Sequence, residues 1–307
     1  MTEYSIERLS DGLYAIDAWM EEHPQRLACY LFDTPERVLV EVGPSATLHH
    51  LTAALDEMGI DDLATIVVTH IHIDHAGGAG QIAQSFPKAR IGVHSKGARH
   101  LEQPDRLWSS ALQVFGEDWL TSNWGPMIPI DRDRLLVLDD GDRIPLGGGR
   151  TLEALYTPGH AKHHITYYEE VSGGMFVGDS LGLSYPHGHA VQPVTPPPDF
   201  DPVAATEQMR RMGSIGPAFL GFAHFGPNYQ VEEALASSEQ QLWEWVRFVE
   251  QVAELDDDAA TERLRRWTIE RHRADGYSEE DIDTYDRATF WPMQVRGIRH
   301  WMSSRQE

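Results

Sequence analysis

Lysine is nearly missing from this 307-residue chain, which carries only Lys88, Lys96 and Lys162 among 25 basic residues, against 48 acidic ones. The formal net charge is −23. So large a negative field repels itself at low ionic strength and is relieved by salt, so the balance points to a halophilic, salt-rich cytoplasm. It also excludes nucleic acid as a partner, because phosphate binding needs a basic face that the sequence does not offer. Cysteine occurs once, which rules out an intramolecular disulfide. Cys29 sits in the apolar run Ala28-Cys29-Tyr30-Leu31-Phe32 and reads as a small core residue. No apolar stretch approaches the ~20 residues of a membrane span, so no membrane partner is expected. The opening Met1-Thr2-Glu3-Tyr4-Ser5-Ile6-Glu7-Arg8 has no basic segment followed by an apolar one. A signal peptide is therefore not expected, and the predicted location is cytoplasmic.

Against those absences stands one dense cluster, Thr69-His70-Ile71-His72-Ile73-Asp74-His75-Ala76-Gly77-Gly78, directly after the apolar run Ile66-Val67-Val68. Imidazole and carboxylate are the usual ligands of zinc, iron and manganese. In an extended segment, side chains two apart share a face, so His70 and His72 can grip one ion. Asp74 and His75 are adjacent and cannot share that face. A chain turning into a helix near Gly77 would aim them at a second ion. Three later strand-like segments each deliver one more ligand-type residue beside a glycine. Leu152–Tyr156 is followed by Thr157-Pro158-Gly159-His160, Met175–Gly178 by Asp179-Ser180, and Ala218–Phe222 by Ala223-His224-Phe225-Gly226. Glycine there lets the backbone crowd a small site.

The order H-x-H-x-D-H, T-P-G-H, G-D-S and A-H-F-G resembles the metallo-β-lactamase superfamily of metallo-hydrolases, over roughly Gly12 to Pro227. The resemblance implies an α/β (α+β) fold, a four-layer αββα sandwich with metals at one edge between the sheets. It implies that His70, His72 and His160 hold one metal, that Asp74, His75 and His224 hold a second, and that Asp179 bridges both. It also implies a bracing role for Glu41, in Glu41-Val42-Gly43, where many relatives have aspartate. Five imidazoles and two carboxylates suit two divalent ions per chain, zinc foremost, with iron or manganese accepted by the same donors. Water bridging two such ions is deprotonated near neutral pH, its pKa falling from about 15.7 to ~7, and becomes the attacking hydroxide. The expected catalytic residues are Asp74 and Asp179; ligation limits Asp74 as a proton acceptor.

The uninterrupted T-P-G-H and the G-D-S step are similar to the glyoxalase-II and lactonase branch. The resemblance therefore implies a dinuclear hydrolase cleaving a small-molecule ester, lactone or thioester. The alternatives are an iron-dependent oxidase or sulfur dioxygenase on the same fold, and a non-catalytic metal-binding protein. In relatives that share T-P-G-H-x-x-x-H, the second histidine supports the centre, here His164. In Ser184-Tyr185-Pro186-His187-Gly188-His189, Tyr185, His187 or His189 are candidates to hydrogen-bond a substrate from a loop over the metals.

Strand-like runs at Leu13–Ile16, Ala28–Phe32, Val38–Val42, Thr65–Val68 and Arg90–Val93 alternate with helical patterns at Thr47–Met58 and Ala79–Gln84. Pro104–Leu120 reads as one helix. Strands resume at Leu135–Leu138, Leu152–Tyr156, Ile165–Tyr168 and Phe176–Val177. Acidic runs such as Asp256–Asp258 and Glu279–Asp281 read as solvated surface. The domains expected are residues 1–230 for the metal-hydrolase unit and 231–307 for a C-terminal helical extension, at Glu232–Glu254, Ala259–Ala274 and Ala288–Ser303. That extension, rich in Trp243, Trp245, Trp267, Trp291 and Trp301, caps the active site and shapes the substrate pocket, or packs on the sandwich or on a second subunit in a homodimer.

Overall fold

The computed structural model describes residues 5–185 and 191–305. Its first sheet has seven strands in sequence order: β1 (Ile6–Ser10), β2 (Leu13–Asp17), β3 (Ala28–Phe32), β4 (Val38–Val40), β5 (Thr65–Val67), β6 (Arg90–His94) and β7 (Leu135–Leu138). β1 to β4 pair antiparallel and β4 to β7 parallel. The second sheet is built from β8 (Arg143–Gly147), β9 (Arg150–Tyr156), β10 (Ile165–Glu169), β11 (Gly174–Gly178), β12 (Phe219–Phe222) and β13 (Gly226–Asn228). Within it only β11 and β12 are parallel.

Period-two alternation decides which face each residue takes. On β4, Val38 and Val40 point between the sheets and Leu39 points outward. The inter-sheet core holds Tyr30, Phe32 and Val67 from the first sheet against Ile165, Tyr167 and Phe176 from the second. Outside the first sheet, α1 (Leu48–Glu57), the single turn α2 (Ile73–Ala76), α3 (Ala79–Ser85) and α4 (Ser95–Glu102) cover Leu31, Leu39, Ile66 and Ile91. Between α4 and β7 lie α5 (Asp105–Phe115) and α6 (Glu117–Asn123). The expected single helix breaks at Gly116, whose φ of +79° lies in the region glycine tolerates.

Outside the second sheet, α7 (Pro202–Ile215), α8 (Val231–Gln251), α9 (Asp257–Ala274), α10 (Glu279–Ala288) and α11 (Trp291–Ser304) complete the fourth layer. On α8 the buried Leu242, Trp245, Val246 and Val249 recur at helical spacing and meet Met175, Val177 and Leu220 of the sheet. The acidic runs do more than meet solvent. Asp256 caps α9, Asp257 pairs with Arg299, and Asp281 closes a capping box with Ser278 at the start of α10. Sequence patterning also gave no sign of β1, β8, α4, α7 or α10, all short, half-exposed or weakly periodic. None of the described helices is long and apolar enough to cross a membrane.

Candidate metal centre

The strands β4, β5, β9, β11 and β12 all end at one edge of the sandwich, and each is followed there by a candidate residue. Glu41 follows β4, His70 and His72 follow β5, and His160 follows β9. Asp179 follows β11 and His224 follows β12. The turn after β5 begins at Ile73, earlier than the helix start expected near Gly77. His72 is still extended there, at φ −60° and ψ 149°, while Asp74 and His75 lie inside the turn. That change of backbone sends the two pairs to different points.

The geometry gathers His70, His72 and His160 into one trio and Asp74, His75 and His224 into another. In the first, His72 Nδ1 lies 2.9 Å from His70 Nε2 and 3.0 Å from His160 Nε2. In the second, His224 Nε2 lies 3.2 Å from His75 Nε2 and 3.5 Å from Asp74 Oδ2. Asp179 touches both, with Oδ2 3.7 Å from His160 Nε2 and Oδ1 3.3 Å from His75 Nε2.

Tautomers follow from the outer partners. His160 Nδ1–H donates to the Val194 carbonyl at 3.1 Å and His224 Nδ1–H to the Arg26 carbonyl at 2.6 Å. A carbonyl only accepts, so both rings present an Nε2 lone pair inward. Glu41 accepts from the Thr69 hydroxyl, which leaves Thr69 Oγ1 to accept His70 Nδ1–H at 3.0 Å. His70 Nε2 is thus also a lone pair. Three nitrogens therefore converge in the first trio with at most one hydrogen among them. Asp179 Oδ1, Glu41 Oε2 and His75 Nδ1 are buried without a hydrogen-bond partner among the described residues. Such an array of inward lone pairs and orphaned carboxylate oxygens demands positive charge, and an N/O donor set of this kind fits divalent ions.

Electrostatics divides the site. Burial pushes His70 and His164 well below the ordinary histidine pKa and His72 down to about 4, aided by neighbouring imidazoles. At His75 burial acts in the same sense, but Asp179, Asp74 and Glu41 outweigh it and hold the pKa well up. A cation is favoured most strongly beside those three carboxylates.

The surrounding residues fix this arrangement. His164, fully buried, accepts the Asp179 backbone N–H at Nε2 (3.2 Å) and contacts Thr157 Oγ1 through Nδ1 (2.8 Å). Gly178, at φ +50°, must be glycine because a Cβ would lie 2.4 Å from Thr69 Oγ1 and 2.7 Å from His164 Nε2. Glu41, itself at φ +69°, reaches Thr69 on one side and approaches His75 Nδ1 to 3.3 Å on the other. It thereby braces one member of each trio.

Tyr185 is buried beside Tyr285 and lines the smaller cavity along with Asp74, Asp179 and His224. Burial pushes its phenol up to about 12. His187 and His189 lie outside the described residues. Thr69, Thr157 and the carbonyls of Arg26 and Val194 were not anticipated. The two threonines directly precede the first histidine and open T-P-G-H, which is a readable signal, whereas a carbonyl leaves none.

Two cavities open from the centre. One, of about 580 Å³, is bounded by His72, His160, His163, Leu107, Phe115 and Trp124, among others. The other, of about 240 Å³, includes Met20, Arg26, Trp119, Phe290 and Met293. Asp74, Asp179, Phe115, Trp124 and Met293 border both. The C-terminal region takes part in both expected ways: Trp245, Trp291 and Trp301 are core, while Phe290 and Met293 face the site.

Residues 28–224 match the signature of the metallo-beta-lactamase superfamily. The chain is 32% identical over 219 residues to the metallo-beta-lactamase fold-containing protein ST1585 of Sulfurisphaera tokodaii, covering 70% of this chain and 78% of that protein. It is 30% identical over 161 residues to a hydroxyacylglutathione hydrolase of Synechococcus, spanning 49% of this chain and 48% of that enzyme. Among solved structures, ST1585 superposes with a TM-score of 0.66 at 26% identity, covering 94% of this chain and 98% of that one. The family protein TTHA1429 of Thermus thermophilus superposes with a TM-score of 0.72 at 21% identity, covering 97% and 95%. Sequence motif, sheet order and the convergence of ligand-type residues at one edge agree, and the chain belongs to the metallo-beta-lactamase superfamily.

Proposed function

We propose that this chain is a metal-dependent hydrolase that cleaves a small-molecule ester, lactone or thioester, with His70, His72 and His160 holding one divalent ion, Asp74, His75 and His224 a second, and Asp179 shared between them. The observation that carries this reading is the pair of trios facing each other across one carboxylate, with lone pairs turned inward. Bound there, zinc or a similar ion supplies Lewis acidity and a water that loses its proton near neutral pH. The similarity to hydroxyacylglutathione hydrolases, and to an atrochrysone carboxyl ACP thioesterase of Aspergillus chevalieri, supports the acyl-transfer side of the family.

The chain's own residues set up the reaction in four ways. The Arg26 and Val194 carbonyls and the Glu41–Thr69 relay lock the tautomers of His224, His160 and His70, so no ring must reorganise when charge develops. His164 fixes the backbone at Asp179, which sets where its two oxygens reach. Asp74 is held ionised, since His75 and His224 outweigh the burial that would raise its pKa. It therefore offers an oxygen lone pair and is a weak proton acceptor. Phe115, Trp124 and Met293 present apolar surface that excludes water from a bound acyl group.

Metal quantification coupled to a panel of lactones, thioesters and phosphodiesters tests the proposal. About two divalent ions per chain and turnover of a lactone or thioester are expected, with turnover lost in Asp179→Ala while circular dichroism is unchanged. One iron per chain with dioxygen uptake, or unchanged turnover in Asp179→Ala, would overturn it.

A further inference from the structure

The larger cavity carries a feature that holding metals does not explain. The connection between β6 and β7 brings Arg99 and His100 from the last turn of α4, and Arg106 from the first turn of α5, to its wall. In a chain with 48 acidic residues, arginines such as Arg37, Arg150, Arg265 and Arg299 find carboxylates. Arg99 and Arg106 form no salt bridge with a described carboxylate, and Arg99 instead donates Nε–H to His100 Nε2 at 3.3 Å. One acid on that wall, Asp199, is already taken by Lys162 at 2.9 Å. A cation in a helix's first turn also opposes the helix dipole, so Arg106 is not placed there to stabilise α5. Beside the two guanidinium groups, Leu107, Ala111, Val114 and Phe115 form the apolar stripe of α5. That helix buries none of its residues fully, and these four side chains line the cavity wall.

We propose that Arg99 and Arg106 form an anion-recognition subsite, so that the substrate is an acyl ester or thioester that carries a carboxylate or phosphate besides its scissile bond and lays its apolar portion along α5. This inference rests on the hydrolytic reading and narrows it. The planar, forked guanidinium suits either anion, because carboxylate and phosphate each accept two parallel N–H bonds.

The test uses the metal-loaded protein and three thioesters of one acyl length. One is neutral throughout, one bears a carboxylate at the far end of the acyl chain, and one is neutral in the acyl chain but carries a phosphate on its thiol portion. An Arg99→Gln, Arg106→Gln double variant is compared with the unaltered chain. The expected result is a KM about tenfold lower for one of the anionic substrates than for the neutral one. In the double variant that KM should rise about tenfold, with kcat and the neutral substrate within twofold of the unaltered chain. Which anionic substrate responds identifies the anion's source. Equal KM values for all three, unchanged in the variant, would overturn the subsite and leave hydrolysis standing.

A binding measurement separates the two readings. The corresponding mono- and dicarboxylate, and the phosphate-bearing thiol, are titrated against quenching of tryptophan fluorescence, since Trp124 lines the cavity. With equal metal content in both proteins, any carboxylate affinity of the ions cancels. An affinity for an anionic ligand that falls about tenfold in the variant supports the subsite even where no ester, lactone or thioester is cleaved, a result that would sink the hydrolytic proposal alone. Equal affinities in both proteins would sink the subsite.

Discussion

Replacing His164 probes the centre without touching a proposed ligand. Its Nε2 accepts the Asp179 N–H, so its proton lies on Nδ1, directed at Thr157 Oγ1. Alanine at this position leaves the buried Asp179 N–H without that acceptor, which costs ~1–3 kcal/mol. It also opens a ring-sized void at a fully buried point, adding about 2–3 kcal/mol. Together the loss is roughly 3–6 kcal/mol, or on the order of 5–9 °C in melting temperature for a chain of this size. Displacing the Asp179 backbone moves both its oxygens, so metal affinity should fall ~10–100-fold. Glutamine supplies an oxygen close to the place of Nε2 and should restore most of both losses. Asparagine, which imitates Nδ1 and leaves the Asp179 N–H unpaired, should restore little. Thermal unfolding with metal present and a competitive chelator titration measure the two effects. If the alanine, asparagine and glutamine variants melt together and bind metal like the unaltered chain, the assigned role of His164 is wrong.

The same chelator titration should show Glu41→Gln binding metal about 10–100-fold more weakly, because the relay through Thr69 to His70 and the charge facing His75 are both altered. An unchanged affinity would remove Glu41 from the bracing role. His272, buried and stacked on Tyr277, has its pKa lowered by burial from 6.5 to about 4. Stability is therefore fully present above pH ~6.5 and is lost as pH falls toward ~4, by on the order of 3 kcal/mol. His272→Phe keeps the ring stack, so chemical denaturation at pH 7 and pH 4.5 should show a smaller loss on acidification than in the unaltered chain; identical losses would refute the assignment. Trp245 is fully buried against Trp291, and its indole N–H has no hydrogen-bond partner among the described residues. Trp245→Ala should cost roughly 3–5 kcal/mol and Trp245→Phe well under half of that, read from urea melts. Equal costs would mean that the void left behind does not set the loss.

How far the sequence reaches depends on how local the signal is. The strands around the centre were legible because buried runs such as Ile66-Val67-Val68 and Met175-Phe176-Val177 end in polar ligand-type residues next to glycine. Asp179 and His224 could be singled out in the same way, although the two trios and the carboxylate between them depend on sheet order. The separate helical turn at Ile73–Ala76 ahead of α3 is not legible, since Ile73 and Ala76 look equally at home in a strand or a helix and only their burial against the first sheet decides. The edge strands β1 and β8 escaped notice because their alternating pattern is half-exposed and interrupted by charges. Glu41 stood out by type and place, yet its task depends on reaching Thr69 and His75 across the strand ends, which no spacing reveals.

The acidic composition and the chemistry of the centre bear on each other. A chain with so few cations still places Arg26, Arg99 and Arg106 at the two cavities, and spends most other arginines on surface and inter-helix pairs such as Arg299 with Asp257 and Arg211 with Asp140. Those exposed pairs contribute little individually and weaken further in salt. Packing must therefore hold the outer layer in place. It does so through Trp245, Trp291 and Trp301 on one side and the Phe115–Trp119–Trp124–Phe290 aromatic contacts on the other. Phe115 and Phe290, with ring centres 4.9 Å apart, join the β6–β7 connection to the C-terminal helices over the centre. Salt screens charges but does not weaken the apolar contact, so the pocket's walls keep their position under ionic conditions that would loosen a roof made of ion pairs.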